Sequence, residues 1–254
     1  MDVEVFLTSD TLTEEDVTDR AVVVVDVLRA SASILTALKN GARDVVPVAD
    51  MAEASKIASN LDSSGYRLGG ERGGFRIEGY HLGNSPLEYT EEQVKDRTII
   101  LNTTNGTGAI ERARAARHLL IGSFLNAGRV VDFIEKAGCD ATIVCAGTGN
   151  RVSLEDTLCA GLMLYRLWKG QEPPGGVTDT AYMAFTQYRN DKDELKRVLR
   201  HCNHAQWLRA NGFEADVEYC MQIDALPVLP YYTENRLVLF DESMTESALQ
   251  LHLR

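Results

Sequence analysis

Five short apolar runs, each followed by a segment of helical pattern, restrict what this chain can become. "AVVVVDV" (21–27) precedes "ASASILTALKNGA", whose helix is expected to end at Gly41. "DVVPVAD" (44–50) precedes "MAEASKIASNL", and "RTIILNT" (97–103) precedes "NGTGAIERARAAR". "HLLIGS" (118–123) precedes "FLNAGRVVDFIEKAG", and "ATIVCAG" (141–147) precedes "SLEDTLCAGLMLYRLWKG". The runs do not alternate apolar with polar residues, so both faces of each strand are covered. That pattern predicts an α/β fold: three layers, α/β/α, around a mostly parallel or mixed sheet. In such sheets ligands bind where strand carboxyl ends lead into helices, which makes those junctions the places to look for chemistry.

Two segments interrupt the alternation. Residues 69–89, "GGERGGFRIEGYHLGNSPLEY", hold six of the 20 glycines and are expected to form a long ordered loop. "QEPPGGVTDT" (171–180) combines two prolines with two glycines and marks the best boundary. The expected organisation is an α/β catalytic core over 1–170 and a helical C-terminal addition over 171–254 that packs on the same unit. Two lobes around a cleft are the alternative. Within the addition, 181–213 reads as helices and "RLVLF" (236–240) as a final strand.

A chain of 254 residues with 44% hydrophobic residues can bury a large core. Its 37 acidic against 26 basic residues give a net charge of −11, which argues against a nucleic-acid partner. A small anionic substrate stays compatible, because a few arginines dominate the field inside a cleft. The opening "MDVEVFLTSD" lacks the basic and apolar regions of a secretory signal, and the run Ala21 to Val25 is too short to span a membrane. Five cysteines without a CxxC pair suit a reducing compartment, so the expected location is cytoplasmic. A homodimer is compatible with an α/β metabolic enzyme, and nothing in the sequence marks its patch.

The strand ends carry distinctive groups. "DVLRAS" places Asp26 at a strand tip and Arg29 at a helix entrance; a carboxylate there can hold a hard cation and an arginine can grip an anion. The bland reading is a helix cap with a surface partner. "NTTNGTG" presents Thr103, Thr104, Asn105, Gly106 and Thr107 at a helix start, a natural anion site or an ordinary capped turn. It lacks the lysine of a Walker A loop. "GGERGG" holds Glu71 and Arg72 between glycine pairs, and "GSFLNA" sets Ser123 and Asn126 at another junction, where a cap is the simpler reading. In "SLED", Glu155 and Asp156 are either first-turn acids or metal ligands. "HCNH" (201–204) spaces His201 and His204 by three, but no third ligand accompanies them.

Together "VVDVLRASASILTAL", "GGERGG…IEGYHLGNSP", "TTNGTGAI", "GSFLNA" and "CAGTGNRVSLEDTLCAG" resemble, in order, the motifs of the 2-phosphosulfolactate phosphatase family. The resemblance runs from about residue 20 to 165. It implies a Mg2+-dependent phosphatase that converts 2-phospho-3-sulfolactate to 3-sulfolactate and phosphate, a step towards coenzyme M in methanogens and a source of sulfolactate elsewhere. It further implies functional roles for Asp26, Arg29, Glu71, Arg72, Asn84, Thr103, Thr104, Asn105, Gly106, Thr107, Ser123, Asn126, Glu155 and Asp156. Within that reading Asp26, Arg29, Arg72 and Glu155 are the expected catalytic residues. Asp26 with Glu155 or Asp156 is expected to hold the magnesium. His81, Asn150 and Val152 depart from the family's usual residues, as does "LRASAS", but no favoured arginine or carboxylate is lost.

Two rivals remain at this level. Cys145 and Arg151 show the C-x5-R spacing of cysteine-nucleophile phosphatases. A non-catalytic anion-binding protein of the same fold is the other.

Overall fold

The computed structural model describes residues 1–242. The five expected strands are β2 (Ala21–Val25), β3 (Asp44–Pro47), β6 (Thr98–Asn102), β7 (His118–Gly122) and β8 (Ala141–Cys145). The helices that follow them are α1 (Ala30–Lys39), α2 (Met51–Ala58), α4 (Gly106–Arg112), α5 (Ala127–Ala137) and α6 (Leu154–Leu167). Between α2 and β6 lies α3 (Glu91–Val94).

With β1 (Val3–Phe6), β4 (Tyr66–Arg72), β5 (Phe75–Arg76), β9 (Pro230–Thr233) and β10 (Arg236–Leu239), the strands form a mixed ten-stranded sheet ordered β1-β8-β2-β7-β9-β10-β3-β6-β4-β5. One parallel group comprises β1 (Val3–Phe6), β8, β2 and β7; the other comprises β3, β6 and β4 (Tyr66–Arg72). The antiparallel hairpin of β9 (Pro230–Thr233) and β10 (Arg236–Leu239) joins the groups. Its two-residue turn has Glu234 and Asn235 at φ 47° and 60°, the left-handed pair that matches strand twist in tight hairpins.

Strand periodicity explains the three layers. On β2, Val23 and Val25 face a core shared with α5 and α6, including Val130, Ile134, Leu158 and Leu162. Val22 and Val24 face the opposite core, with Ile34 and Leu38 of α1 and Ile110 of α4. Both faces are therefore buried, as the unbroken valine run requires.

The segment 69–89 is more regular than its composition predicts. Glu71 and Arg72 end β4, Gly73 and Gly74 turn the chain at φ 57° and 84°, and Phe75–Arg76 returns antiparallel as β5. A 3-10 turn follows at Pro86–Glu88. The glycine content hid a hairpin because the ladder is two residue pairs long and needs no apolar alternation.

After residue 171 come α7 (Asp179–Asp191), α8 (Leu195–Leu199), α9 (Asn203–Ala210) and α10 (Glu214–Cys220), then the β9–β10 hairpin. Their apolar residues Ala184, Phe185, Leu199, Leu208 and Val217 join the core that contains Val23 and Leu162. Docking of α7 on α6 depends on Gly161. A Cβ there would lie 2.2 Å from the Ala184 carbonyl oxygen and 2.6 Å from Tyr188 Cβ, so any side chain forces the helices apart. Gly161→Ala is expected to lose about 1–3 kcal/mol through overpacking, with Tm falling about 2–4 °C per kcal/mol in a chain of this size. Thermal unfolding should show this loss, whereas Gly175→Ala, with no atom within 4 Å of its Cβ, should leave Tm nearly unchanged.

Candidate active site

The carboxyl end of β2 meets the β4–β5 hairpin, the β6–α4 loop and α9 around a cleft of about 370 Å³. Asp26, Arg29, Glu71, Asn84, Thr104, Asn105, Thr148 and His204 contribute its polar lining, with Trp207 and Leu28 as apolar walls.

Asp26 follows the last residue of β2 and acts on the start of α1. Its Oδ1 accepts from the Ala30 amide at 3.2 Å, and its own amide donates to Ser31 Oγ at 2.9 Å. Oδ2 has no hydrogen-bond partner among the described residues and lies against Gly106. A Cβ on Gly106 would sit 2.8 Å from that oxygen and 2.6 Å from Ala30 Cβ, so only glycine lets the two strand-end loops approach this closely. Burial raises the Asp26 carboxyl to about 7, with Glu71 and Glu155 adding repulsion and the Ala30 amide and Arg29 opposing.

Glu71 is buried and ties two loops together. Its Oε2 accepts from the Gly74 amide at 2.8 Å and its Oε1 from the Thr104 amide at 2.7 Å. Arg72, the next residue, points to the other side of the Thr-rich loop. It donates to the Glu71 carbonyl and to Asn102 Oδ1, and lines a neighbouring cleft of about 440 Å³ with Thr103, Thr104 and Thr107. The Thr-rich loop is closed internally: the Thr107 amide donates to Thr103 Oγ1 at 3.1 Å and Thr107 Oγ1 donates to the Thr103 carbonyl at 2.9 Å. Asn105 Oδ1 accepts from the Gly149 amide at 3.2 Å, linking this loop to the one after β8.

Arg29 is almost wholly buried and committed to the protein. Nη1 pairs with Asp216 Oδ2 at 2.6 Å, Nη2 donates to the Gly74 carbonyl at 2.6 Å, and the guanidinium lies 4.3 Å over the Phe213 ring. Asp216, also buried, accepts at its other oxygen from Ser85 Oγ at 2.6 Å. Helix α10 thereby anchors the arginine that lines the cleft. Asn84 leaves its buried Oδ1 without a hydrogen-bond partner. An unsatisfied buried acceptor costs about 1–3 kcal/mol, which a ligand donor would offset.

Glu155 and Asp156 open α6 beneath this cleft and are not among its lining residues. Asp156 accepts from the Val27 amide at 2.9 Å and the Gly147 amide at 3.1 Å, joining the β2–α1 and β8–α6 loops. Burial pushes its carboxyl well up, and the charges of Glu155 and Asp26 push the same way. Glu155 is likewise raised by burial, with the Cys202 thiol hydrogen-bonded to it. Ser123 and Asn126 are fully buried. Asn126 accepts from the Ser123 amide at 2.9 Å and donates to the Ile121 and Val228 carbonyls, which caps the turn into α5 and holds the chain before β9.

Among the described residues no group of three or more His, Cys, Asp or Glu side chains is arranged to hold a metal. The donor chemistry nonetheless fits magnesium in its usual form, one carboxylate with substrate oxygens and waters. Asp26 offers the free oxygen, and the buried acids around it favour a cation.

The cysteine alternative fails on the structure. Cys145 is wholly buried at the end of β8, and burial followed by the Asp156 charge pushes its thiol well up, away from the thiolate a nucleophile requires. Arg151 is exposed. The C-x5-R spacing places the two on different sides of the turn.

Sequence reasoning missed three contributors, all from the C-terminal third: His204, Trp207 and Asp216. In the sequence His204 reads only as a metal ligand paired with His201, which is exposed. The usable signal was the i, i+3 spacing of His204 and Trp207, which stack with ring centroids 6.0 Å apart and planes at 8°.

The sequence model of the 2-phosphosulpholactate phosphatase family matches residues 6–235. A protein of Symbiobacterium thermophilum named "Probable 2-phosphosulfolactate phosphatase" is 41% identical over 227 residues, 89% of this chain and 97% of that protein. Proteins of the same name are 35% identical over 231 residues in Caldanaerobacter subterraneus (91% and 95% of the two chains) and 37% identical over 238 residues in Clostridium acetobutylicum (94% and 100%). The chain therefore belongs to the 2-phosphosulfolactate phosphatase family.

Proposed function

We propose that this protein is a phosphoric monoester hydrolase that uses Mg2+ to convert 2-phospho-3-sulfolactate to 3-sulfolactate and phosphate. The observation that carries the reading is the cleft of the family's own motifs: Asp26, Arg29, Glu71, Asn84 and Thr104 on one wall system, with buried acids beneath. No helix among the described residues is long and apolar enough to cross a membrane. A cytoplasmic enzyme supplying sulfolactate, or coenzyme M where that cofactor is made, is the biological setting we infer.

The chemistry follows from charge. The substrate brings phosphate, carboxylate and sulfonate to a cleft with two carboxylates of its own, so fixed cations are required. Arg29 supplies one, oriented by Asp216 and Phe213. Arg72 supplies a second on the far side of the Thr-rich loop, where it lines the neighbouring cleft with Thr103, Thr104 and Thr107. Magnesium, when bound, neutralises phosphoryl charge and polarises the phosphorus centre. Asp26 would hold it through Oδ2, while Glu71 keeps the hairpin and the Thr-rich loop in register.

Phosphate release should be measured against phosphosulfolactate, phospholactate and phosphoglycerate, with magnesium and with EDTA. The expected result is preference for phosphosulfolactate, loss of turnover with EDTA and recovery on adding magnesium. Preference for substrates without the sulfonate would overturn the substrate, and turnover indifferent to EDTA and magnesium would overturn the cofactor.

Asp26→Asn keeps the Ala30 contact and removes the charge. It is expected to lower kcat at least 100-fold while the protein still unfolds cooperatively. Cys145→Ser, by contrast, should keep turnover within a few-fold of the native enzyme. Binding of phosphosulfolactate without any turnover would instead mark a non-catalytic anion-binding protein.

A further inference from the structure

Hydrolysis of a secondary phosphate ester leaves an alkoxide on the departing hydroxy acid, and an alkoxide is a poor leaving group unless a proton reaches it. Four ionisable side chains line the cleft: Asp26, Arg29, Glu71 and His204. The Glu71 oxygens are both occupied by backbone amides, and Arg29 is held by Asp216 and the Gly74 carbonyl. Asp26, if it holds a cation, does so ionised and carries no proton to give. His204 remains.

Resting on the phosphatase reading above, we propose that His204 is the general acid that protonates the leaving oxygen of the substrate. The imidazole projects from the first turn of α9 and is fixed in orientation by stacking on Trp207, 6.0 Å between centroids at 8°. It also interacts with the Leu28 carbonyl, which favours a protonated nitrogen on that side. The charged groups acting on it are Arg29 at the entrance of α1 and Glu71 at the end of β4. Burial and then Arg29 pull its pKa down, with Glu71 and the Leu28 carbonyl opposing. A bound phosphate dianion adds negative charge and so favours the imidazolium at the moment a donor is needed.

The step balances without a further reactant. The oxygen of water forms the new bond to phosphorus, and the bond from phosphorus to the substrate oxygen breaks. The electron pair leaves with that oxygen, which takes the proton from His204. Water gives up one proton to solvent, and solvent re-protonates His204 for the next cycle.

The test uses the full chain with His204→Gln and His204→Ala, each checked for cooperative thermal unfolding. General acids contribute about 10²–10⁴-fold, so kcat should fall at least 100-fold with KM changed only a few-fold. The native pH profile of kcat/KM should fall on the alkaline side as the donor loses its proton, and the variants should lack that limb. Added imidazole should restore part of the turnover of His204→Ala. A kcat within threefold of native in both variants overturns the proposal. So does a loss of kcat that keeps the alkaline limb and ignores imidazole, the signature of a structural role. If the native enzyme releases no phosphate from phosphosulfolactate, the substrate assignment fails alone. Phospholactate, with the same type of leaving group, then carries the His204 comparison. No release by the native enzyme from either substrate overturns both readings.

Discussion

Negative charge buried at the ends of the central strands is the constraint on which the site depends. Asp26, Glu71, Glu155 and Asp156 are all withdrawn from water within a chain whose net charge is already −11. Such groups are tolerated because backbone amides meet them: Glu71 takes those of Gly74 and Thr104, and Asp156 those of Val27 and Gly147. These bonds also decide geometry. Glu71 ties the β4–β5 turn to the loop after β6, Asp156 ties the loops after β2 and β8, and the Gly149 amide bonded to Asn105 joins the two pairs, so the four loops are held as one rim. Removing Glu71 or Asp156 would release two loops at once.

The same charges set the chemistry. Burial, with mutual repulsion adding to it, raises the Asp26 carboxyl to about 7 and Asp156 well above its ordinary range. A substrate carrying phosphate, carboxylate and sulfonate is unfavourable in that field unless cations precede it. The protein supplies Arg29 and Arg72, and Asp26 keeps one oxygen uncommitted beside Gly106. Asp156 is committed to the Val27 and Gly147 amides below the cleft, whereas Asp26 and Glu71 line it, which separates the roles of Asp26 and Glu71 from those of Glu155 and Asp156.

Legibility followed locality. The five strand–helix pairs could be read because β-branched runs and helical spacing are properties of contiguous residues. Strands β1 and β9 were missed because a glutamate interrupts "VEVF" and a proline opens "PYYT", so neither stands out as an apolar run, and the β4–β5 hairpin because its glycines serve a turn. Within the site, Asp26, Glu71, Asn84, Thr104 and Asn105 do line the cleft. Ser123 and Asn126 have the sequence of a cap and are built as one. The spacing of Cys145 and Arg151 looked chemical only because spacing says nothing about burial.

The sequence by itself determined the layered α/β architecture, the strand-end junctions and the family, since each is written in short-range pattern and ordered motifs. The tertiary structure alone decided which groups meet. Arg29 is 187 residues from Asp216, and His204 faces a cleft shared with Asp26, Arg29 and Glu71 from the first third of the chain. Contacts at such separations depend on how α9 and α10 dock on the shared core, a matter of complementary packing that local pattern does not encode. That docking converts a solvent-accessible arginine into a buried, oriented one, and an unremarkable histidine into the proton source of the cleft.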